Sequence, residues 1–279
     1  MSGYGTPHLI TASDLRDLGD DPKLRVVDAT VHLRFGDGAP QIESGQASYL
    51  AGHIPGAVFV DQLTALTDSD GDAPFAVASS EQFAAAVGAA GVGDDSRVVV
   101  YDSENGIWAT RLWWQFGLEG FDNVAVLDGG LQAWVDAGFS VDRGESTYPP
   151  AEFTAKRREE RVETTDEVVT DVDDSTVLLI NALDRDTFAA GHIPGSVNVP
   201  FGELVDERGK LKEVPALRAI FDAVGALDDS VRPVTYCGGG IAATAAAFAL
   251  AAVGRDDAAV YDGSMNAWTS DPTRPLTTS

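Results

Sequence analysis

Three segments of this chain occur twice, in the same order and at a nearly constant separation. Tyr49-Leu-Ala-Gly-His-Ile-Pro-Gly-Ala-Val-Phe-Val60 returns as Phe188-Ala-Ala-Gly-His-Ile-Pro-Gly-Ser-Val-Asn-Val199. Arg97-Val-Val-Val-Tyr-Asp102 returns as Arg232-Pro-Val-Thr-Tyr-Cys237, and Leu127-Asp-Gly-Gly-Leu-Gln-Ala-Trp134 as Tyr261-Asp-Gly-Ser-Met-Asn-Ala-Trp268. Ordered matches over a fixed period mark a duplicated structural unit, so the chain must build one architecture twice. Its 279 residues suit that count, at roughly 150 residues per domain. The stretch between the copies is polar, carries Pro149-Pro150 and a charge run, and shows little periodicity, which reads as a linker. The predicted organisation is a domain over 1–142, a linker over 143–163 and a second domain over 164–279.

Within each copy, short apolar runs alternate with helical patterns. Arg25–Asp28, Val98–Tyr101 and Val124–Leu127 in the first copy, and Val177–Ile180, Val234–Tyr236 and Ala258–Tyr261 in the second, have the length and β-branched content of buried parallel strands. Helical patterns cover Ser80–Ala90, Ile107–Phe116, Leu131–Ala137, Pro215–Val224 and Ala242–Val253. Strand–helix alternation predicts an α/β fold of tandem duplicated domains, each a mostly parallel sheet flanked by helices.

The formal charge is -25, with 44 acidic residues against 19 Lys and Arg. Phosphate binding needs clustered basic groups, so no nucleic-acid partner is expected. Asp outnumbers Glu by 31 to 13, and only Lys23, Lys156, Lys210 and Lys212 are lysines. Such self-repulsion destabilises a compact state in dilute buffer; at about 1 M salt the screening length falls to about 3 Å and the repulsion largely disappears. The joint acid enrichment and lysine depletion resemble proteins of salt-in halophiles and suggest a cytoplasmic setting. No apolar run reaches the roughly 20 residues of a membrane span, Ile241–Val253 being too short. The first ten residues lack a basic region followed by an apolar core, so no secretory signal is expected.

Cys237 is the only cysteine, which excludes an intramolecular disulfide and a thiolate zinc cluster. The four histidines, His8, His32, His53 and His192, show no metal-binding spacing, and no metal site is predicted. A lone cysteine is usually an inert buried hydrophobe, but this one ends an apolar strand and opens Gly238-Gly239-Gly240-Ile241-Ala242, which leads into a helix. Three glycines let the backbone curl and turn its N–H groups inward. The helix adds its positive N-terminal end, and such a setting favours the thiolate. The same nest would hold an anion attached to the sulfur, so the backbone of residues 238–242 is the predicted substrate cradle. The first copy has Asp102 at the equivalent position, in a loop one residue longer. A carboxylate cannot serve as a sulfur nucleophile, so the first copy is expected to be catalytically silent.

Gly52-His-Ile-Pro-Gly56, Gly191-His-Ile-Pro-Gly195, Arg111-Leu-Trp-Trp114, Cys237-Gly-Gly-Gly240 and Tyr261-Asp-Gly-Ser264 together resemble the two-domain rhodanese-type sulfurtransferases, over nearly the whole chain. The family's silent first domain and active second domain fit the Asp102/Cys237 asymmetry. The resemblance implies ping-pong covalent catalysis through a Cys237 persulfide. It also implies a small anionic sulfur donor and an external acceptor, namely cyanide, a thiol or a thiol protein. No organic cofactor is implied, because the cysteine sulfur carries the group. With no second cysteine in the chain, the persulfide must be discharged from outside.

The resemblance leaves the donor open. Mercaptopyruvate sulfurtransferases resemble Cys-Gly-Ser-Gly-Val-Thr in the loop, where this chain has Gly239, Ile241 and Ala242. They hold the donor carboxylate with arginines at positions occupied here by Leu183 and Thr187, with Arg185 nearby as the candidate clamp. Thiosulfate enzymes carry a basic residue where Gly239 stands. Thiosulfate is the expected donor, since backbone N–H groups can hold a small oxyanion without a carboxylate clamp; 3-mercaptopyruvate is the alternative. A cysteine phosphatase would need an arginine six positions after the cysteine, where Ala243 lies. A non-enzymatic sulfur carrier is the third reading.

Other motif residues read more simply as structure. His192 is expected to fix a turn, with His53 in the same role more often than in a proton relay with Asp28. Arg111 is expected to pack on a helix face, Trp113, Trp114 and Trp134 to lie in the core, and Lys156-Arg157-Arg158 to be solvated linker charge.

Overall fold

The computed structural model describes residues 8–19, 21–34, 41–71 and 73–279. The chain divides into two units, Met1–Thr67 with Ala78–Arg157, and Asp68–Val77 with Arg158–Ser279.

In the first unit the strands are β1 (Leu9–Ile10), β2 (Leu24–Asp28), β3 (Val31–Arg34), β4 (Gln41–Ser44), β5 (Val58–Phe59), β6 (Arg97–Tyr101) and β7 (Val124–Leu127). The helices are α1 (Ala12–Asp17), α2 (Gln46–Ala51), α3 (Ser80–Ala89), α4 (Ile107–Leu118) and α5 (Gly130–Asp136). β3 and β4 form an antiparallel hairpin, and the other strands form a parallel sheet of order β1-β7-β6-β2-β5.

The second unit has β8 (Val162–Glu163), β9 (Val177–Asn181), β10 (Val197–Asn198), β11 (Arg232–Tyr236) and β12 (Ala259–Tyr261), with α6 (Thr165–Asp171), α7 (Arg185–Ala190), α8 (Val214–Ala223), α9 (Ile241–Ala252) and α10 (Ser264–Ser270). Its parallel sheet runs β10-β9-β11-β12-β8, the same order read from the other edge. Register repeats too: Asp28 lies opposite Tyr101, and Asn181 opposite Tyr236.

The valine runs form strands because both faces of each sheet are covered. Val98, Val99, Val100 and Tyr101 are fully buried in β6, as are Val234 and Tyr236 in β11, the pattern of a parallel sheet between helical layers. α9 is alanine-rich and buried along nearly its whole length; small side chains allow close approach while keeping high helix propensity. α1, α3, α6 and α7 start from Thr11, Ser79, Thr164 and Asp184 side-chain caps. α4 starts instead from Gly106, and α9 from its second-copy counterpart Gly240, both left-handed and without a side-chain cap. No helix among the described residues is long and apolar enough to cross a membrane.

The stretch 143–163, read from sequence as linker, is divided between the units. Its first part packs on the first unit. Phe153 joins Phe83, Phe116 and Phe121 in an aromatic cluster with centroids 5.1–6.0 Å apart, and Tyr148 Oη donates to Gly56 O at 3.0 Å. Within the basic run, Arg157 pairs with the buried carboxylate of Glu119 at 2.9 Å. Arg157 is therefore a structural tie rather than solvated charge. The segment Asp68–Val77 groups with the second unit, where Val77 N–H donates to Asp262 Oδ2 at 2.8 Å. It belongs to none of the repeated segments, which is why the repeat does not announce it.

Candidate active site

β11 delivers Cys237 to the carboxyl end of the central strand of the second sheet, where ligand sites of open α/β sheets lie. The thiol is free and 3% exposed. Gly240 adopts φ +79°, turning the chain into α9 and aiming the first-turn N–H groups, which have no intrahelical acceptor, toward the loop. Gly238, Gly239 and Ala242 are half-buried, whereas Gly240 and Ile241 are buried.

The start of α10 clamps the loop from behind. Cys237 N–H donates to Ser264 Oγ at 3.1 Å, and Ser264 Oγ–H donates to Tyr261 O at 2.8 Å. Met265 N–H donates to Cys237 O at 3.0 Å and Asn266 N–H to Gly238 O at 2.9 Å. Ser264 is fully buried and held at φ +49°, a left-handed conformation that costs a non-glycine residue about 1 kcal/mol.

In the first unit the equivalent loop holds a side-chain carboxylate. Asp102 Oδ1 accepts the N–H groups of Glu104 and Gly106 at 2.9 and 3.0 Å, and Oδ2 those of Trp108 and Ala109 at 3.1 and 2.9 Å. A carboxylate thus lies inside a nest of backbone donors built by the loop and the first turn of α4. Burial pushes the Asp102 carboxyl up, and the N–H bonds from Ala109, Gly106, Glu104 and Trp108 oppose that push. Asp28, also buried, is likewise raised, by desolvation first, against hydrogen bonds from Thr30 and Tyr101 and with added repulsion from Asp102. In the second unit, Asn181 and Cys237 stand in place of this pair of acids.

Arg185, the expected clamp, opens α7 and donates Nε and Nη2 to the two carboxylate oxygens of Glu203, both at 2.8 Å. Among the described residues its side-chain hydrogen bonds go to that partner, and the Leu183 side chain lies 4.0 Å from where a Gly238 Cβ would lie. His53 and His192 have the same structural role. Each donates Nδ1–H at 2.9 Å to the carbonyl four residues earlier, Tyr49 or Phe188, and stacks on that residue's ring at 4.1 or 3.7 Å. Arg111 is buried over the Trp114 ring at 4.7 Å, and Trp113, Trp114 and Trp134 are buried as expected.

Sequence reasoning missed three contributors. Ser264 replaces Gly130 within the aligned repeat, a signal that was available. Asn266 and Phe75 flank Gly239: a Cβ there would lie 2.9 Å from Asn266 Nδ2 and 3.2 Å from Phe75 Cδ2. Phe75 arrives on the segment outside the repeat.

The family model for the Rhodanese-like domain matches residues 11–137 and 164–271. The chain is 34% identical to the 3-mercaptopyruvate sulfurtransferase of Escherichia coli (strain K12), over 94% of this chain and 95% of that one. It is 31% identical to the thiosulfate sulfurtransferase of Bos taurus, over 88% and 85%. The crystal structure of SseA from Escherichia coli, a 3-mercaptopyruvate enzyme of rhodanese fold, superposes with a TM-score of 0.82 at 33% identity, covering 93% of this chain and 99% of that one.

Proposed function

The chain belongs to the rhodanese family, and on that premise we propose that it is a sulfurtransferase whose Cys237 carries a sulfane sulfur from thiosulfate to a thiophilic acceptor. The observation that carries this reading is the Asp102 nest. Four backbone N–H groups surround a carboxylate in the first copy, and the second copy sets a cysteine at the same strand end before the same left-handed glycine. An anion bound to that sulfur would meet the donors that Asp102 meets.

In the first half-reaction the Cys237 thiolate attacks the outer sulfur of thiosulfate. A sulfur–sulfur bond forms to the enzyme, the donor's own sulfur–sulfur bond breaks, and sulfite leaves with the electron pair. In the second, cyanide or a thiolate attacks the outer persulfide sulfur and Cys237 leaves as the thiolate. The backbone donors of residues 238–242 stabilise negative charge on the donor, the persulfide and the departing thiolate, without reorganising. Because Cys237 is the sole cysteine, the acceptor is external, a small thiol, cyanide or a thiol protein.

3-Mercaptopyruvate is the second reading, by the same persulfide, with the enolate of pyruvate leaving and then taking a proton. It is supported by the Escherichia coli relative. The acid-rich, lysine-poor composition supports a salt-rich cytoplasm as the working environment. Steady-state assay of cyanide-dependent thiocyanate formation tests the reading: Cys237→Ser should lose all turnover while keeping the fold, and full retained activity would refute it.

A further inference from the structure

We propose that Asn266 is the residue that reads the sulfur donor, its carboxamide donating a hydrogen bond to the donor's anionic head group beside the Cys237 loop. The inference rests on the sulfurtransferase reading above and adds a specificity residue to it. A backbone nest binds any small anion, so discrimination between donors needs a side chain at its rim. The nearest side chains to a Cβ on Gly238 or Gly239 are Leu183 at 4.0 Å, Phe75 at 3.2 Å and Asn266 at 2.9 Å. Leucine and phenylalanine offer no hydrogen bond; asparagine offers two N–H donors.

The placement of Asn266 is fixed while its side chain is uncommitted. Its backbone N–H is tied to Gly238 O at 2.9 Å, which anchors its Cα against the loop beside the nucleophile. The residue is exposed, and its carboxamide makes no hydrogen bond among the described residues. Gly239 has no positive φ, so backbone conformation does not demand glycine there, and a Cβ would lie against the end of the Asn266 carboxamide and the Phe75 ring. The carboxamide therefore stands where a side chain on residue 239 would stand. Being neutral, it selects by hydrogen-bond geometry rather than by charge, and Phe75 limits the size of the head group on the other side.

The test uses the full chain in molar KCl, with thiosulfate and with 3-mercaptopyruvate as donors and cyanide as acceptor. One hydrogen bond from a neutral amide to an anion is worth about ten- to a hundred-fold in binding. Asn266→Ala is expected to raise the donor KM by about that factor with kcat and the cyanide KM unchanged, the pattern of lost ground-state binding. Asn266→Asp, which sets a carboxylate against the anion, is expected to raise it further. Gly239→Ser should push the carboxamide aside, so its effect on KM and that of Asn266→Ala should not add in the double variant. Wild-type KM for the accepted donor in both Asn266 variants would overturn the inference while leaving the sulfurtransferase reading intact. A wild-type enzyme that takes sulfur from neither donor would overturn that reading, and this inference with it.

Discussion

Ser264 Oγ accepts the backbone N–H of Cys237 at 3.1 Å from a residue held in the left-handed region, at φ +49°. The first copy has Gly130 there at φ +56°, where a Cβ would sit 2.2 Å from Asp102 O. The second copy thus accepts local strain to place a hydroxyl behind Cys237. Ser264→Gly relieves the strain but leaves a buried donor without its acceptor, a loss of about 1–3 kcal/mol. Ser264→Ala loses the same bond and keeps the strain. Both variants should form the persulfide more slowly, by about ten-fold, the factor that ~1.4 kcal/mol corresponds to. In urea unfolding, Ser264→Ala should be the less stable of the two. A Ser264→Gly enzyme alkylated and sulfurated at the wild-type rate would remove Ser264 as a positioning residue.

Asp102 should matter for stability and not for chemistry. Asp102→Ala strips the acceptor from four N–H groups, those of Trp108 and Ala109 in buried bonds and those of Glu104 and Gly106 in part-buried ones, and the expected destabilisation is about 2–5 kcal/mol. Sulfur transfer at Cys237, measured well below the unfolding midpoint, should persist. A shift under about 1 kcal/mol would mean that the nest does not need its anion.

Asp28 gives a pH signature. Burial raises its pKa above the ordinary value of 3.8, so the folded state holds the proton more tightly than the unfolded one. Its contribution to stability is therefore greatest at low pH and falls as pH rises from about 3.8 through the raised folded value. Asp28→Asn abolishes that decline, and the second copy already tolerates asparagine there, with Asn181 Oδ1 accepting Leu183 N–H at 2.8 Å. The unfolding free energy of wild type minus that of Asp28→Asn should fall as pH rises past 3.8. A flat difference would contradict the assignment.

Charge screening gives a further stability prediction. A chain of net charge -25 should gain stability steeply from dilute buffer to molar KCl, where the screening length is about 3 Å. Thermal unfolding across a KCl series checks it; equal midpoints at both ends would reject the salt-dependent reading.

Much of the architecture was legible because it was written twice. The repeat and the valine runs predict the duplicated α/β fold, and the Cys237-Gly-Gly-Gly240 loop predicts a strand that ends at Cys237 and a helix that follows the glycines. Less legible were contacts between segments far apart in sequence. Phe153 looks like one apolar residue in a polar stretch, and only packing against Phe83 and Phe116 reveals its role. Arg185 looks like an anion clamp until its fork meets Glu203. Ser264 was visible as a break in the Gly129-Gly130 repeat, but its meaning depends on the left-handed backbone that turns its hydroxyl toward Cys237.

The most direct test of the central claim is intact-protein mass spectrometry of wild type and Cys237→Ser in molar KCl, each incubated separately with thiosulfate and with 3-mercaptopyruvate. The persulfide account predicts one added sulfur atom on the wild-type chain, mapped to Cys237 and removed by cyanide, with none on Cys237→Ser. A wild-type chain left unmodified by both donors, or a variant that gains the sulfur, would contradict it.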